Sequence, residues 1–135
     1  MIDHVYVSVS DPERSLAFYL AALKPLGWQV FGKYDATSGP GTVPDLWGLG
    51  NPASRSSMWL RQRTAGETGI YLGLVADDPS LVDAAYAAAL EAGGRDDGIP
   101  AVRQYFSDGY YAANVVDLDD NRLEFVHKSW NQKPA

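Results

Sequence analysis

The chain has 135 residues, 46% of them apolar and 12% aromatic, enough to bury a sizeable core within one domain of ordinary size. A net charge of −6, with only Arg55, Arg61 and Arg63 approaching a basic patch, excludes the clustered Lys and Arg that phosphate backbones require, so no nucleic-acid partner is expected. No run of about 18 apolar residues offers a membrane span; the N-terminus enters a strand pattern at Ile2, leaving no room for a signal peptide, and the absence of cysteine removes disulfide and thiolate chemistry and suits a reducing cytoplasm.

Residues 2–9 alternate: Val5, Val7 and Val9 share one face, and His4, Tyr6 and Ser8 the other. That period of two predicts a strand with one face on a core. Asp11-Pro12 then predicts a helix start, because Asp caps well and Pro at the first helical position loses no needed N–H. Leu16, Leu20 and Leu23 form its apolar stripe, and Pro25 with Gly27 stops it. Residues 28–33 read as a second strand, 35–44 as a loop rich in Gly, Pro, Ser and Thr, 46–49 and 57–63 as two further strands, and 64–69 as a connecting loop.

The second half repeats this order. Residues 70–75 read as a strand with Ile70, Leu72 and Leu74 on one face. Asp78-Pro79 caps a helix with Leu81, Val82, Ala85 and Ala89 inward, and Gly93-Gly94 closes it. A strand is expected at 102–106 and another at 110–117, followed by a turn at 118–121, a last strand at 122–127 and a tail from 130. The repeat is visible in the letters. A shift of 67 residues brings His4 onto Tyr71, Asp11-Pro12 onto Asp78-Pro79, and Tyr19, Leu23 and Gly27 onto Tyr86, Leu90 and Gly94. Two copies of one unit, spanning roughly 1–66 and 67–130 of a single domain, predict a pseudo-symmetric α+β fold. Each copy is a βαβββ module, and together they form a curved, mostly antiparallel sheet with helices outside and its other face free to line a cavity.

The opening strand with its Asp11-Pro12 helix start, the 67-residue repeat, and the closing run from Tyr110-Tyr111 through Asp117-Leu118-Asp119-Asp120-Asn121-Arg122-Leu123-Glu124-Phe125 resemble the vicinal oxygen chelate superfamily of glyoxalases, extradiol dioxygenases and fosfomycin- and bleomycin-resistance proteins. Leu118 stands where the family's turn has Pro, and Asp120 where it has Gly. The resemblance implies metal ligands on the first and last strand of each module. Those four positions hold His4, Trp59, Tyr71 and Glu124, so two are good metal donors and two are not. On this resemblance a divalent ion (Zn, Ni, Mn or Fe) would rest on His4 and Glu124, an incomplete set. It would act as a Lewis acid on the vicinal oxygens of a small, oxygen-rich substrate. No organic cofactor is implied.

Each residue also has a plainer role. His4 and Glu124 could simply hydrogen-bond, and without a metal Glu124 could be a general base if burial raises its pKa. Trp59 and Tyr71 could be aromatic walls, with Tyr6 and Ser8 on the His4 face placing polar groups of a ligand. Tyr110 and Tyr111 lie on opposite faces, so only one reaches the cavity; alternation does not choose between them, and Tyr111 is the ligand-binding candidate. His127, three residues past Glu124, falls on the opposite face and reads as structural. Two functions follow, a metal-assisted lyase or dioxygenase and a metal-free protein that sequesters a small molecule. In either case a homodimer is expected, with Trp47 and Trp130 as interface candidates.

Overall fold

The computed structural model describes residues 2–128. The first module runs β1 (Val5–Val9), α1 (Pro12–Leu23), β2 (Gln29–Tyr34), β3 (Leu46–Gly50) and β4 (Met58–Gln62). The second runs β5 (Tyr71–Val75), α2 (Pro79–Glu91), β6 (Arg95–Val102), β7 (Tyr111–Val116) and β8 (Arg122–His127). The strand orders are β1-β4-β3-β2 and β5-β8-β7-β6. In both sheets the first strand runs parallel to the last and the other pairings are antiparallel. This is the expected α+β architecture of two βαβββ modules, built as two four-stranded mixed sheets.

The local signals behind it are physical. The Asp11 side chain accepts from the Arg14 N–H at 3.2 Å and Asp78 from the Leu81 N–H at 3.1 Å, so both helices start on an Asp cap followed by Pro. The buried face of α1 differs from the Leu16–Leu20–Leu23 stripe: Ser15, Phe18, Tyr19, Ala22 and Leu23 are buried, while Leu16 and Leu20 pack only at the margin. Tyr19 and Ser15 turn inward because buried carboxylates await them there. On α2 Val82, Ala85 and Ala89 are buried as the pattern predicts, with Leu81 at the margin.

The strand expected at 102–106 is displaced. β6 occupies Arg95–Val102, directly after the helix, and 103–110 forms the hairpin loop. Asp96, Asp97, Gly98 and Pro100 read as turn residues, yet β6 is a sheet edge, where bulges and a missing N–H are tolerated. The register shifts twice along it.

One continuous core joins the modules. Val7, Val9, Leu49, Met58 and Leu60 of the first sheet and Leu74, Ala113, Val115, Leu123 and Phe125 of the second pack with both helices. Each large side chain fully buried there contributes roughly 1.5–3 kcal/mol. A polar lock holds the same junction. In the turn between β7 and β8, Asp117 accepts from the backbone of Asp119 and Asn121, each at 2.8 Å, and from the Tyr19 hydroxyl at 2.5 Å. Asp119 accepts from Ser10 N–H and the Ser15 hydroxyl, and Asn121 donates to the Ser8 carbonyl. The Arg63 guanidinium bridges Ser8, Asp119 and Asn121. Burial, followed by the Asp117 charge, lifts the Tyr19 hydroxyl well above its ordinary pKa. Among the described residues, no helix is long and apolar enough to cross a membrane.

Candidate functional site

Strand alternation decides which side chains leave the core. On β8 Leu123 and Phe125 are fully buried in it, so Glu124 projects from the opposite face. On β4 Met58 and Leu60 do the same and Trp59 projects. Register makes the two positions equivalent. Across the first sheet, Tyr6, Trp59, Gly48 and Gly32 are successive partners; across the second, Gly73, Glu124, Asn114 and Gly98.

In the second sheet this row carries a polar network. Glu124 is 6% exposed, and both of its oxygens accept phenolic protons: Oε1 from Tyr71 at 2.5 Å and Oε2 from Tyr110. Asn114 donates through Nδ2 to the Tyr71 oxygen at 2.9 Å and accepts through Oδ1 from Arg103 Nη1 at 2.5 Å. Desolvation and the Glu124 carboxylate push the Tyr110 hydroxyl up to about 12 and raise that of Tyr71. The Arg122 guanidinium lies 5.2 Å from the Tyr71 ring, and Lys128 Nζ 5.5 Å from that of Tyr110.

In the first sheet the row is apolar. The Trp59 indole lies against the two glycines: a Cβ on Gly48 would stand 2.8 Å from its ring and one on Gly32 2.9 Å. Tyr6 is half exposed, with His4 at 5.7 Å between ring centroids and Arg61 at 5.9 Å. Arg61 faces Glu67 at 3.8 Å, and its Nε is buried without a partner.

The expected residues therefore divide into two groups. Tyr71 and Glu124 meet on the second sheet. His4, Tyr6 and Trp59 stand together on the first, where His4 Nδ1 bonds the Asp3 carboxylate at 2.6 Å. Among the described residues, no hydrogen bond or ion pair joins His4 to Glu124. Ser8 is buried and engaged by Arg63 at 3.0 Å, which makes it part of the lock. Tyr111 is corrected by its neighbour: it donates to Asp83 of α2 at 2.6 Å on the helix-covered side, and Tyr110 is the tyrosine at Glu124. His127 is buried on that covered side, its ring 3.3 Å from the Ala76 carbonyl. Trp47 lies within β3, partly buried under Lys33, rather than in an open loop, and Trp130 falls outside the described residues.

The donor set does not fit a divalent ion. Both Glu124 oxygens already accept hydroxyl protons, the nearest other side chains are phenols, an amide and a guanidinium, and His4 is held by Asp3. Among the described residues, no three His, Cys, Asp or Glu side chains gather at one point. A Zn-like ion needs three or four such donors.

Sequence reasoning missed Asn114 and Arg103. Asn114 had a signal, being the one polar side chain between Ala113 and Val115 in a buried strand, at the register position that Gly48 holds in the first copy. Arg103 had none, because the pattern places residues 102–106 in a strand whereas the structure ends β6 at Val102.

Comparison with known proteins agrees with this architecture. The family model described as Glyoxalase/Bleomycin resistance protein/Dioxygenase superfamily matches residues 1–125. A glyoxalase/bleomycin resistance protein from Albidiferax ferrireducens T118 superposes with a TM-score of 0.73 at 27% identity, covering 93% of this chain and 96% of that one. TnmS3, an antibiotic binding protein from Streptomyces sp. CB03234, superposes at 0.68 with 23% identity, covering 96% of each. The V278E mutant of glyoxalase I from Zea mays superposes at 0.64 with 18% identity, covering 94% of this chain and 44% of that one. The last two likenesses bear on the fold alone. No protein of curated function matches the chain significantly.

Proposed function

Because the chain belongs to the glyoxalase/bleomycin resistance protein/dioxygenase superfamily, we propose that it is a metal-free member that binds a small organic molecule against the Glu124 face of its second sheet. The observation that carries this reading is the state of Glu124. In a metal-assisted enzyme the carboxylate must offer an oxygen to the ion. Here its oxygens accept protons from Tyr71 and Tyr110, phenols whose pKa is raised by burial and by the carboxylate itself, and among the described residues no set of three His, Cys, Asp or Glu side chains gathers around it. The surrounding wall is aromatic, with a few fixed polar groups, as small-molecule sites are. Among structural neighbours, TnmS3 is an antibiotic binding protein.

The metal-assisted enzyme is the second reading, favoured by the retention of His4 and Glu124 at two of the four ligand positions of the fold. Elemental analysis of protein purified without chelator separates the two, followed by calorimetric titration with Zn, Ni, Mn and Fe(II). The binding reading expects well under one equivalent of metal and no heat that depends on Glu124. One tightly held equivalent, lost in Glu124→Gln, would overturn it.

We also propose a homodimer. Its support is the half exposure of the Tyr6 and Tyr71 rings among the described residues. A monomer by light scattering at micromolar concentration refutes it.

A further inference from the structure

Nine large hydrophobic side chains are exposed among the described residues, and five of them line one cleft: Tyr71, Ile99, Val102, Tyr105 and Phe106. The cleft has a volume of about 550 Å³ and opens beside the Glu124 network. Its aromatic side is already assembled. Tyr105 and Phe106 stand 4.7 Å apart between ring centroids, and Phe106 and Tyr110 5.1 Å, so a ladder of three rings leads from the 103–110 loop down to Glu124. Contiguous exposed apolar surface of this kind marks a binding site.

The charges in the cleft do not balance. Arg122 is paired with Asp97 at 2.9 Å, and the Glu124 carboxylate is buried beneath two phenols. Arg103 forms no ion pair among the described residues. It gives one N–H to the neutral Asn114 Oδ1, and its Nη2 lies across Gly98, where a Cβ would be 3.0 Å away. A guanidinium carries five donors in a planar fork suited to a carboxylate and stacks on aromatic faces. Asn114 holds one arm of this fork in place on a floor that only glycine leaves open.

We propose that the ligand of this site is a flat aromatic molecule carrying a carboxylate. Its ring lies along the Tyr105–Phe106–Tyr110 ladder and its anion is taken by Arg103. This rests on the binding reading above and adds the ligand class. A cationic ligand would meet Arg103 while the exposed carboxylate of the cleft, Asp97, is already paired with Arg122, and a neutral one would leave the guanidinium desolvated without an anion.

The test uses three probes of one shape, 2-naphthoate, 2-naphthamide and 2-naphthylmethylammonium, titrated into the full chain without metal and followed by tryptophan fluorescence and NMR. Naphthoate should bind about tenfold tighter than the amide, the scale of one charge-assisted hydrogen bond, and the ammonium weakest. Arg103→Gln should bring naphthoate down to the amide, with Arg103→Lys in between. Phe106→Ala should weaken all three while keeping their order. Arg95→Gln, which removes a cation paired with Asp120 on the sheet edge, should leave naphthoate unchanged, and each variant's melting temperature verifies its fold. Equal binding of amide and carboxylate, equal losses in Arg95→Gln and Arg103→Gln, or no binding of any probe overturns the ligand class. Binding of any probe only after a divalent metal is added overturns the metal-free reading instead.

Discussion

The two sheets share one frame and differ in the row of residues across their free faces. In the first, Tyr6, Trp59, Gly48 and Gly32 make a stacked apolar floor, beside which Arg61 leaves a buried N–H unanswered. In the second, Gly73, Glu124, Asn114 and Gly98 carry a network whose polar atoms answer one another. The exchange is reciprocal: the bulk on the first strand in one row is glycine in the other, and the glycine on the third strand in one is asparagine in the other. Residues facing the helices are kept apolar in both copies because the shared core requires it. The open faces carry no such constraint, and chemistry has diverged there.

That contrast can be broken most severely at the joint that holds the two copies together. Asp117→Ala strands two backbone N–H groups and the Tyr19 hydroxyl inside the protein, so chemical denaturation should show a loss of at least about 3 kcal/mol, given roughly 1–3 kcal/mol per abandoned buried donor. On the open faces, Gly48→Ala should cost about 1–3 kcal/mol by driving a methyl into Trp59. Gly73→Ala, at the second sheet's edge with open space above it, should stay within about 0.5 kcal/mol. Equal losses at the two glycines would erase the distinction between a filled row and an open one.

The polar row is sharpened by titration. Tyr110 ionises at about 12 in the folded state against roughly 10 for a free phenol. A folded value above the unfolded one means that the Tyr110–Glu124 contact is fully stabilising below about pH 10 and is lost as pH rises toward 12. Phenolate absorbance should therefore show late-titrating tyrosines. Glu124→Gln should bring Tyr110 and Tyr71 part of the way back, since burial, the larger cause, remains. An unchanged titration would remove Glu124 as a partner of either phenol. A small gain belongs to the β7–β8 turn. Asp120 holds a left-handed φ of 66°, and its ion pair with Arg95 is exposed, so Asp120→Gly should gain about 0.5–1 kcal/mol of stability.

The sequence pattern revealed most of the frame and less of the site. Helix caps, the alternation around Trp59 and Glu124, and the 67-residue shift all follow from local chemistry, and each has its counterpart in the structure. Three features did not show. The inward turn of Tyr19 and Ser15 depends on carboxylates about a hundred residues away. The position of β6 is hidden by turn-forming residues that an edge strand tolerates. The choice of Tyr110 over Tyr111 is set by Asp83 on a neighbouring helix. Parity could say that the two tyrosines part company, but not which way the strand faces.

The Asp117–Asn121 turn also orders events in time. Its contacts to Tyr19, Ser15 and Ser8 close loops of 98, 104 and 113 residues. Helix α1 therefore cannot seat its polar partners until the last hairpin exists, and the first module waits, incomplete, through synthesis of the second. Such long closures slow folding. A nascent chain of this design emerges from the ribosome with its first half unfinished, exposed to chaperones, and locks both halves in one late step.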